Sequence, residues 1–385
     1  MVYLDNAATT IPHPEVLRES QEYYTSCFGN PSSVHPPGSS DLQLVGHARK
    51  IFSQIFHVPQ AGIIFCGSGT ESDNLAIKGV IHPLSKRALP KIVTSPLEHA
   101  AVTKTCEWLE NNGMARVELV NIDSKTGQVD LRHLTQLVDP TTALVSIQHV
   151  NSETGTIQDL ASISKCIREK NPDTLVHSDG VQAFTRMPVD LTELGVDLYS
   201  ISSHKFHGLK GAGALIMKRH LKLTPLIHGG GQEHDFRSGT ENVVGIFAMA
   251  RAAELAVSSL EENRSKVSQF ASAFRSVLKQ SFPKCRLYQA ENSLPHIISA
   301  SFPGIPGEVL LHHLAERGIF VSTGSACNAT SKKLSPVLQA VGYSKERIME
   351  TVRISIAASE IPEDERSFFD LFCKALTDLQ ALIGK

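Results

Sequence analysis

"SISSHKFHGLKGAG" occupies residues 200–213, and its surroundings decide the fold. The apolar run "DLYSIS" (197–202) leads into it and "GALIMK" (213–218) leads out. A polar, glycine-rich connection therefore joins two buried strands. Lys205 follows the first strand directly, between His204 and the glycine-rich turn. An amine at the end of a buried strand is not an ordinary solvated charge. Desolvation there lowers its pKa and makes it available for a Schiff base. Lys210, with the same side chain inside the glycine-rich loop, reads as a surface residue.

Outward from this stretch, short apolar runs alternate with amphipathic segments from about residue 40 to 260. The runs are "GIIFC" (62–66), "KIVTS" (91–95), "ALVSIQHV" (143–150) and "TLVHSD" (174–179), besides the two already quoted. Between them lie helical patterns, such as 41–56 with Leu42, Val45, Phe52, Ile55 and Phe56 on one face. Strands alternating with helices predict an α/β architecture with a mostly parallel sheet covered by helices. Beyond "GIFAMARAAELAVSSLEEN" the pattern changes to helices mixed with "HIISASF" (296–302), "IFVS" (319–322) and "TVRISIA" (351–357). We expect a large α/β domain over 14–260, and a small α+β domain over 261–385 joined by the N-terminal arm, 1–13.

At 385 residues the chain is long enough for two domains, and 41% hydrophobic residues supply ample core. Lys+Arg 37 nearly balances Asp+Glu 39, with no long block of like charge, so neither nucleic acid nor a membrane surface is an expected partner. There is no apolar run of membrane-spanning length, and "MVYLDNAATT" has no basic segment followed by an apolar one. A cytoplasmic protein is expected. The cysteines, 7 in number, are scattered without a C-x-x-C pair, which argues against a disulfide framework and against a metal site. Cys66 and Cys166 lie in apolar patterns and read as core. Cys327 differs, because "FVSTGSACNATSKKLSP" (320–336) surrounds it with small and polar residues typical of a loop.

Two further segments carry chemistry. "LVHSDGVQAF" sets Asp179 and Gln182 just past an apolar strand, where ligands collect in α/β sheets. Asp179 reads equally as a turn former or as the acid that keeps a pyridine nitrogen protonated. "IIFCGSGTESDNLAIKG" is a strand, a Gly/Ser/Thr turn and a helix, whose free N–H groups with Thr70 suit a phosphate. A plain N-cap by Ser68 or Thr70 accounts for the same residues.

Together with "YLDNAATT", "FGNPSS", "LEHAAV", "VNSETG", "GGGQEHDFRSGTEN" and "STGSACNA", these segments occur in the order found in the cysteine desulfurase family. The chain resembles that class V aminotransferase branch of pyridoxal 5'-phosphate (PLP) enzymes from residue 3 to about residue 356. The resemblance implies a PLP-dependent transferase of fold type I, the aspartate aminotransferase-like fold, acting on L-cysteine to give L-alanine. It implies that Lys205 binds PLP covalently and moves protons at the substrate Cα, that Asp179 partners the ring nitrogen, and that Gln182 bonds on the ring hydroxyl side. His99 would stack on the ring and serve acid–base steps. Thr70, Ser202 and His204 would hold the phosphate, with Thr240 contributed by the other subunit of a homodimer. Asn151 would sit near the cofactor hydroxyl and the substrate carboxylate, and Arg353 would clamp that carboxylate. Cys327, in a loop of about 322–336, would be the nucleophile that receives the sulfur as a persulfide. A sulfur-acceptor protein of iron–sulfur or thio-cofactor biosynthesis would then take it.

The 26 residues from Cys327 to Arg353 match the longer-loop group of the family. Ser152 and Asp73 each replace the family's usual Asn, no Gly-Arg pair follows Arg353, and the tail is shorter than in members that bind a scaffold protein. "GGGQEHDFRSGTEN" and "SPVLQAVGYS" also resemble selenocysteine lyases, which release selenium from L-selenocysteine with the same constellation. A transaminase or another PLP β-lyase of the same fold would have no use for Cys327.

Overall fold

The computed structural model describes residues 1–85, 89–219, 221–288, 290–324 and 334–383. Strand β1 (Val2–Tyr3) lies in the N-terminal arm. The seven strands β2 (Ile63–Cys66), β3 (Lys91–Thr94), β4 (Arg116–Leu119), β5 (Thr142–Ser146), β6 (Leu175–Asp179), β7 (Leu198–Ser202) and β8 (Gly213–Met217) form one sheet in the order β2-β8-β7-β6-β5-β3-β4. β7 to β4 run parallel, and β8 alone is reversed, antiparallel to both β2 and β7. The reversal follows from the chain between β7 and β8. Residues 203–212 are too few for the helical crossover that a parallel connection requires.

The apolar runs became strands because they are covered on both faces; β2, β3, β7 and β8 are buried throughout. β4 escaped the sequence reading, since "RVEL" is an edge strand with exposed ends and shows no apolar run. The helix anticipated over 41–56 spans Pro36–Phe56, with two prolines opening its first turn and the His35 ring capping the Gly38 N–H. Val45, Phe52 and Phe56 face the core, whereas Leu42 is 54% exposed and belongs to the outer face. Cys66 is buried, and Cys166 packs partly buried against the main core beside Ile163 and Ile167.

A second apolar cluster lies beyond residue 260. β9 (Arg286–Leu287), β10 (Ile297–Ser301) and β12 (Thr351–Ser355) form an antiparallel sheet in the order β12-β10-β9. Helices Leu260–Ser281 and Glu365–Ile383 cover it through Phe270, Phe274, Phe369 and Phe372. β1 pairs in parallel with β11 (Ile319–Phe320), and Leu4 enters the same cluster. The N-terminal arm is thus built into the second part of the chain while its next residues reach the large sheet. No single helix among the described residues is long and apolar enough to cross a membrane.

Candidate active site

The carboxyl ends of β6 and β7, the start of helix Gly69–Ser85 and the N-terminal arm enclose a cavity of about 220 Å³. Thr70, His99, Asp179, Gln182, Ser202, His204, Lys205 and Arg353 all line it. Residues spread over most of the sequence thus meet in one space, at the strand ends where open α/β sheets bind ligands.

Lys205 closes a single helical turn after β7, Ser203–Lys205. Its Nζ donates to the carbonyls of Ala7 (2.7 Å) and Ala8 (2.8 Å), so the arm holds the amine at the cavity. The arm is itself pinned. Asn6 donates to Ser355 O, Ser355 Oγ accepts from Ala7 N–H, and Thr10 donates to His204 O. His204 bonds Thr9 Oγ1 through Nδ1, and burial with Lys205 nearby pulls its pKa down to about 4, so the ring is neutral at ordinary pH.

Asp179 ends β6, accepts from the Val181 N–H (2.9 Å), and is buried. Burial first, then the neighbouring Asp73 carboxylate, push its pKa up to about 6. A cationic group at this end of the cavity would draw it back towards the ordinary carboxylate range. His99 is both the N-cap of helix Ala100–Asn111 and a cavity residue: its Nδ1 accepts from the Ala101 N–H. That acceptor role puts the proton of the neutral ring on Nε2.

Arg353 lies in β12, 2% exposed, and is held from two sides. Its Nη2 donates to Asp5 Oδ1 (2.8 Å) and its Nη1 to Ser152 O (3.1 Å), leaving Nε buried without a hydrogen-bond partner. Asn151 stands behind this contact. Its Oδ1 accepts from Glu153 N, Thr154 N and Thr154 Oγ1, and its Nδ2 donates to Leu97 O, so its amide shapes the turn that presents Ser152 O. Thr240 is exposed and lies outside the cavity lining of this chain. Cys327 lies outside the described residues. The chain on either side of it is placed: Ser322 exchanges backbone hydrogen bonds with Arg353, and Ser335 Oγ donates to the buried Glu153 Oε2 (2.6 Å).

The sequence reading gave no role to Asp5, Ala7, Ala8 or Asp73. "YLDNAATT" was there as a motif, but a backbone carbonyl leaves no residue-type signal. Asp73 stood out only as a departure from the family's usual Asn, with no role attached to it.

The lining fits pyridoxal phosphate. Gln182 anchors its Nε2 on Ala7 O while its Oε1 is buried without a partner in the cavity wall. At Gly69 a Cβ would lie 2.9 Å from Val181 Cγ2 and 3.2 Å from Ser202 Cβ, so the helix start is a cradle that only glycine leaves open. Ser68 caps the Glu71 N–H, and the first N–H groups of a helix have no partner within it. A carboxylate for a ring nitrogen, an amide, an amine and an anion seat therefore share one wall.

The model of the aminotransferase class-V family matches residues 2–365. A cysteine desulfurase IscS of Dictyoglomus turgidum is 38% identical over 99% of this chain and 96% of its own length. That of Methanosarcina thermophila is 39% identical over 94% of this chain and 89% of its own. Among solved structures, a NifS-like protein superposes with a TM-score of 0.91 at 37% identity, covering 99% of both chains. SspA in complex with cysteine superposes with a TM-score of 0.81 at 30% identity, covering 92% of this chain and 99% of that one.

Proposed function

The chain belongs to the class-V aminotransferase family, and from that premise we infer that it is a PLP-dependent cysteine desulfurase, converting L-cysteine to L-alanine and passing the sulfur to Cys327. The observation that carries this reading is the convergence of Lys205, Asp179, His99 and Arg353 on one cavity.

Bound PLP would supply the electron sink for bond breaking at the substrate Cα. Lys205 would hold it covalently, Asp179 would face the ring nitrogen, and Gln182 the ring hydroxyl side. Ser68, Thr70, Ser202 and His204 would form the phosphate seat. This chain's residues then handle the substrate. Arg353, oriented by Asp5 and Ser152 O, receives the carboxylate of cysteine with its planar donors. Asn151 acts through the turn that carries Ser152. Lys205 takes the Cα proton, its amine already placed by Ala7 O and Ala8 O. His99, with Nε2 as donor, serves acid–base exchange over the ring.

Cys327, as thiolate, attacks the substrate sulfur. The new S–S bond forms as the substrate Cβ–S bond breaks, and the C–S electron pair stays with carbon. That carbon takes up a proton, Lys205 returns a proton to Cα, alanine leaves, and Cys327 keeps the extra sulfur as a persulfide. The anchoring of the flanking chain supports this role, since Ser322 is paired with Arg353 itself.

We further propose the division into a large domain, 14–260, and a small one, 1–13 with 261–385. The working unit is a cytoplasmic homodimer in which the exposed Thr240 reaches the partner's phosphate seat. An acceptor protein takes the sulfur from Cys327. The test is alanine formation from cysteine and from selenocysteine, by the native protein and Cys327→Ala side by side. The native protein forms alanine from cysteine and Cys327→Ala does not, while both take up PLP. If Cys327→Ala is inactive on cysteine but the native protein strongly prefers selenocysteine, the protein is a selenocysteine lyase. If Cys327→Ala is as active on cysteine as the native protein, the proposed sulfur transfer is wrong.

A further inference from the structure

Asp73 has no place in the chemistry above, yet it lines the same cavity. It is 1% exposed, and its Oδ1 has no hydrogen-bond partner. His177 Nε2 lies 3.5 Å from that oxygen, but it also meets Ser200 Oγ at 3.1 Å, and Nδ1 meets Ser146 Oγ at 2.8 Å. One ligand atom each from Asp73, His99 and Asp179 lie within 4.8 Å of one another. Two buried carboxylates this close cannot both ionise without a cation or a shared proton between them. A buried acceptor left without a donor costs free energy, so an arrangement that keeps one open at a cavity wall points to a donor arriving from outside the chain.

We propose that Asp73 and Asp179 act as a carboxylate pair that selects a protonated ring nitrogen in this cavity, Asp73 being a specificity-determining and positioning residue for the cofactor. This rests on the reading that PLP occupies the cavity. Asp179 is the near partner of the ring N–H. Asp73 adds a second negative charge within the same low-dielectric space, which favours the cationic ring over the neutral one. The other titratable groups facing the pair are His177 on β6, His99 and Glu98 at the start of helix Ala100–Asn111, and Tyr199 on β7. Glu98 is occupied by Ser95 and the Gln148 N–H, and burial lifts its pKa to about 8, so it adds little charge near neutrality. His99 acts on Asp179 in the opposite sense to Asp73, drawing its pKa down, and Tyr199 shares a hydrogen bond with His149. Asp73 is the carboxylate beside Asp179 that keeps a buried oxygen without a hydrogen-bond partner.

The experiment compares binding of PLP with binding of 1-deazapyridoxal 5'-phosphate, in which a C–H replaces the ring nitrogen. Full-length native protein, Asp73→Asn, Asp179→Asn and the double variant are each reloaded and titrated by absorbance. The native protein prefers PLP. Asp73→Asn narrows that preference about tenfold, equivalent to roughly one pKa unit of lost charge stabilisation. The double variant loses little more than Asp179→Asn alone, because the two carboxylates act as a unit. A role for Asp73 in packing alone would weaken both ligands equally. Asp73→Ser repeats the test with a smaller side chain if the Asn variant folds poorly. An unchanged preference in both Asp73 variants overturns the proposal. A native protein that takes up neither ligand overturns the cofactor reading instead, so the two failures are distinct.

Discussion

Replacing Gly69 with alanine should damage the phosphate seat while sparing the fold. The added Cβ would sit 2.9 Å from Val181 Cγ2, 3.2 Å from Ser202 Cβ and 3.7 Å from Ser202 Oγ. Each of these atoms belongs to a residue lining the cavity; the Val181 methyl must shift, and Ser202 Cβ, tied to the end of β7, must give by a few tenths of an ångström. The space lost is the space in front of the helix N-terminus. A charge-assisted hydrogen bond to phosphate contributes about 1.5–3 kcal/mol. Losing one weakens PLP binding about 10- to 100-fold. The contrast is Gly213, where a Cβ would meet backbone atoms of Ser68 at 2.5 and 2.8 Å. There alanine must move the main chain, so Gly213→Ala destabilises the protein itself. The assay is absorbance titration of stripped protein with PLP, beside thermal unfolding of the stripped form. Native-like PLP affinity in Gly69→Ala would refute the assignment of the phosphate to this helix start.

Other consequences follow from the same geometry. Arg353→Lys loses the two-pronged donor set held by Asp5 and Ser152 O, and steady-state kinetics should show KM for cysteine raised at least about tenfold with a smaller change in kcat. His149 is buried, and burial draws its pKa down to about 4 from an ordinary value near 6.5. Its neutral form is favoured by folding, so the stability it contributes is complete above about pH 6.5 and is lost as pH falls towards 4. Urea unfolding across that window should show His149→Gln with a shallower acid loss, by about one proton, than the native protein.

Much of the large sheet was legible because its strands are buried on both faces and read as apolar runs bounded by turns. β4 was not, since an edge strand with polar, exposed ends has no such pattern. Leu42 was assigned to the core face, but at 3.6 residues per turn it falls beside the stripe that Val45, Phe52 and Phe56 bury. In the site, Lys205 and Asp179 stood out as polar residues at strand ends, whereas His99 was singled out by the family resemblance alone. Asp5 did not, because its meaning lies in an ion pair with Arg353 across 348 residues of chain. Ala7 and Ala8 act through carbonyls, which any residue would supply. Asn151 was legible as a site residue, but its amide is committed to its own turn, which sequence pattern cannot distinguish from a ligand contact.

The most direct test of the account is the mass of the Cys327 peptide after one turnover. PLP-loaded protein is given a single equivalent of L-cysteine without an acceptor, digested under non-reducing conditions and analysed by mass spectrometry. The account predicts that this peptide gains one sulfur atom in step with alanine release, and that the gain is lost on adding a thiol reductant. Alanine released with the Cys327 peptide unmodified, or the extra sulfur found on another cysteine, would contradict it.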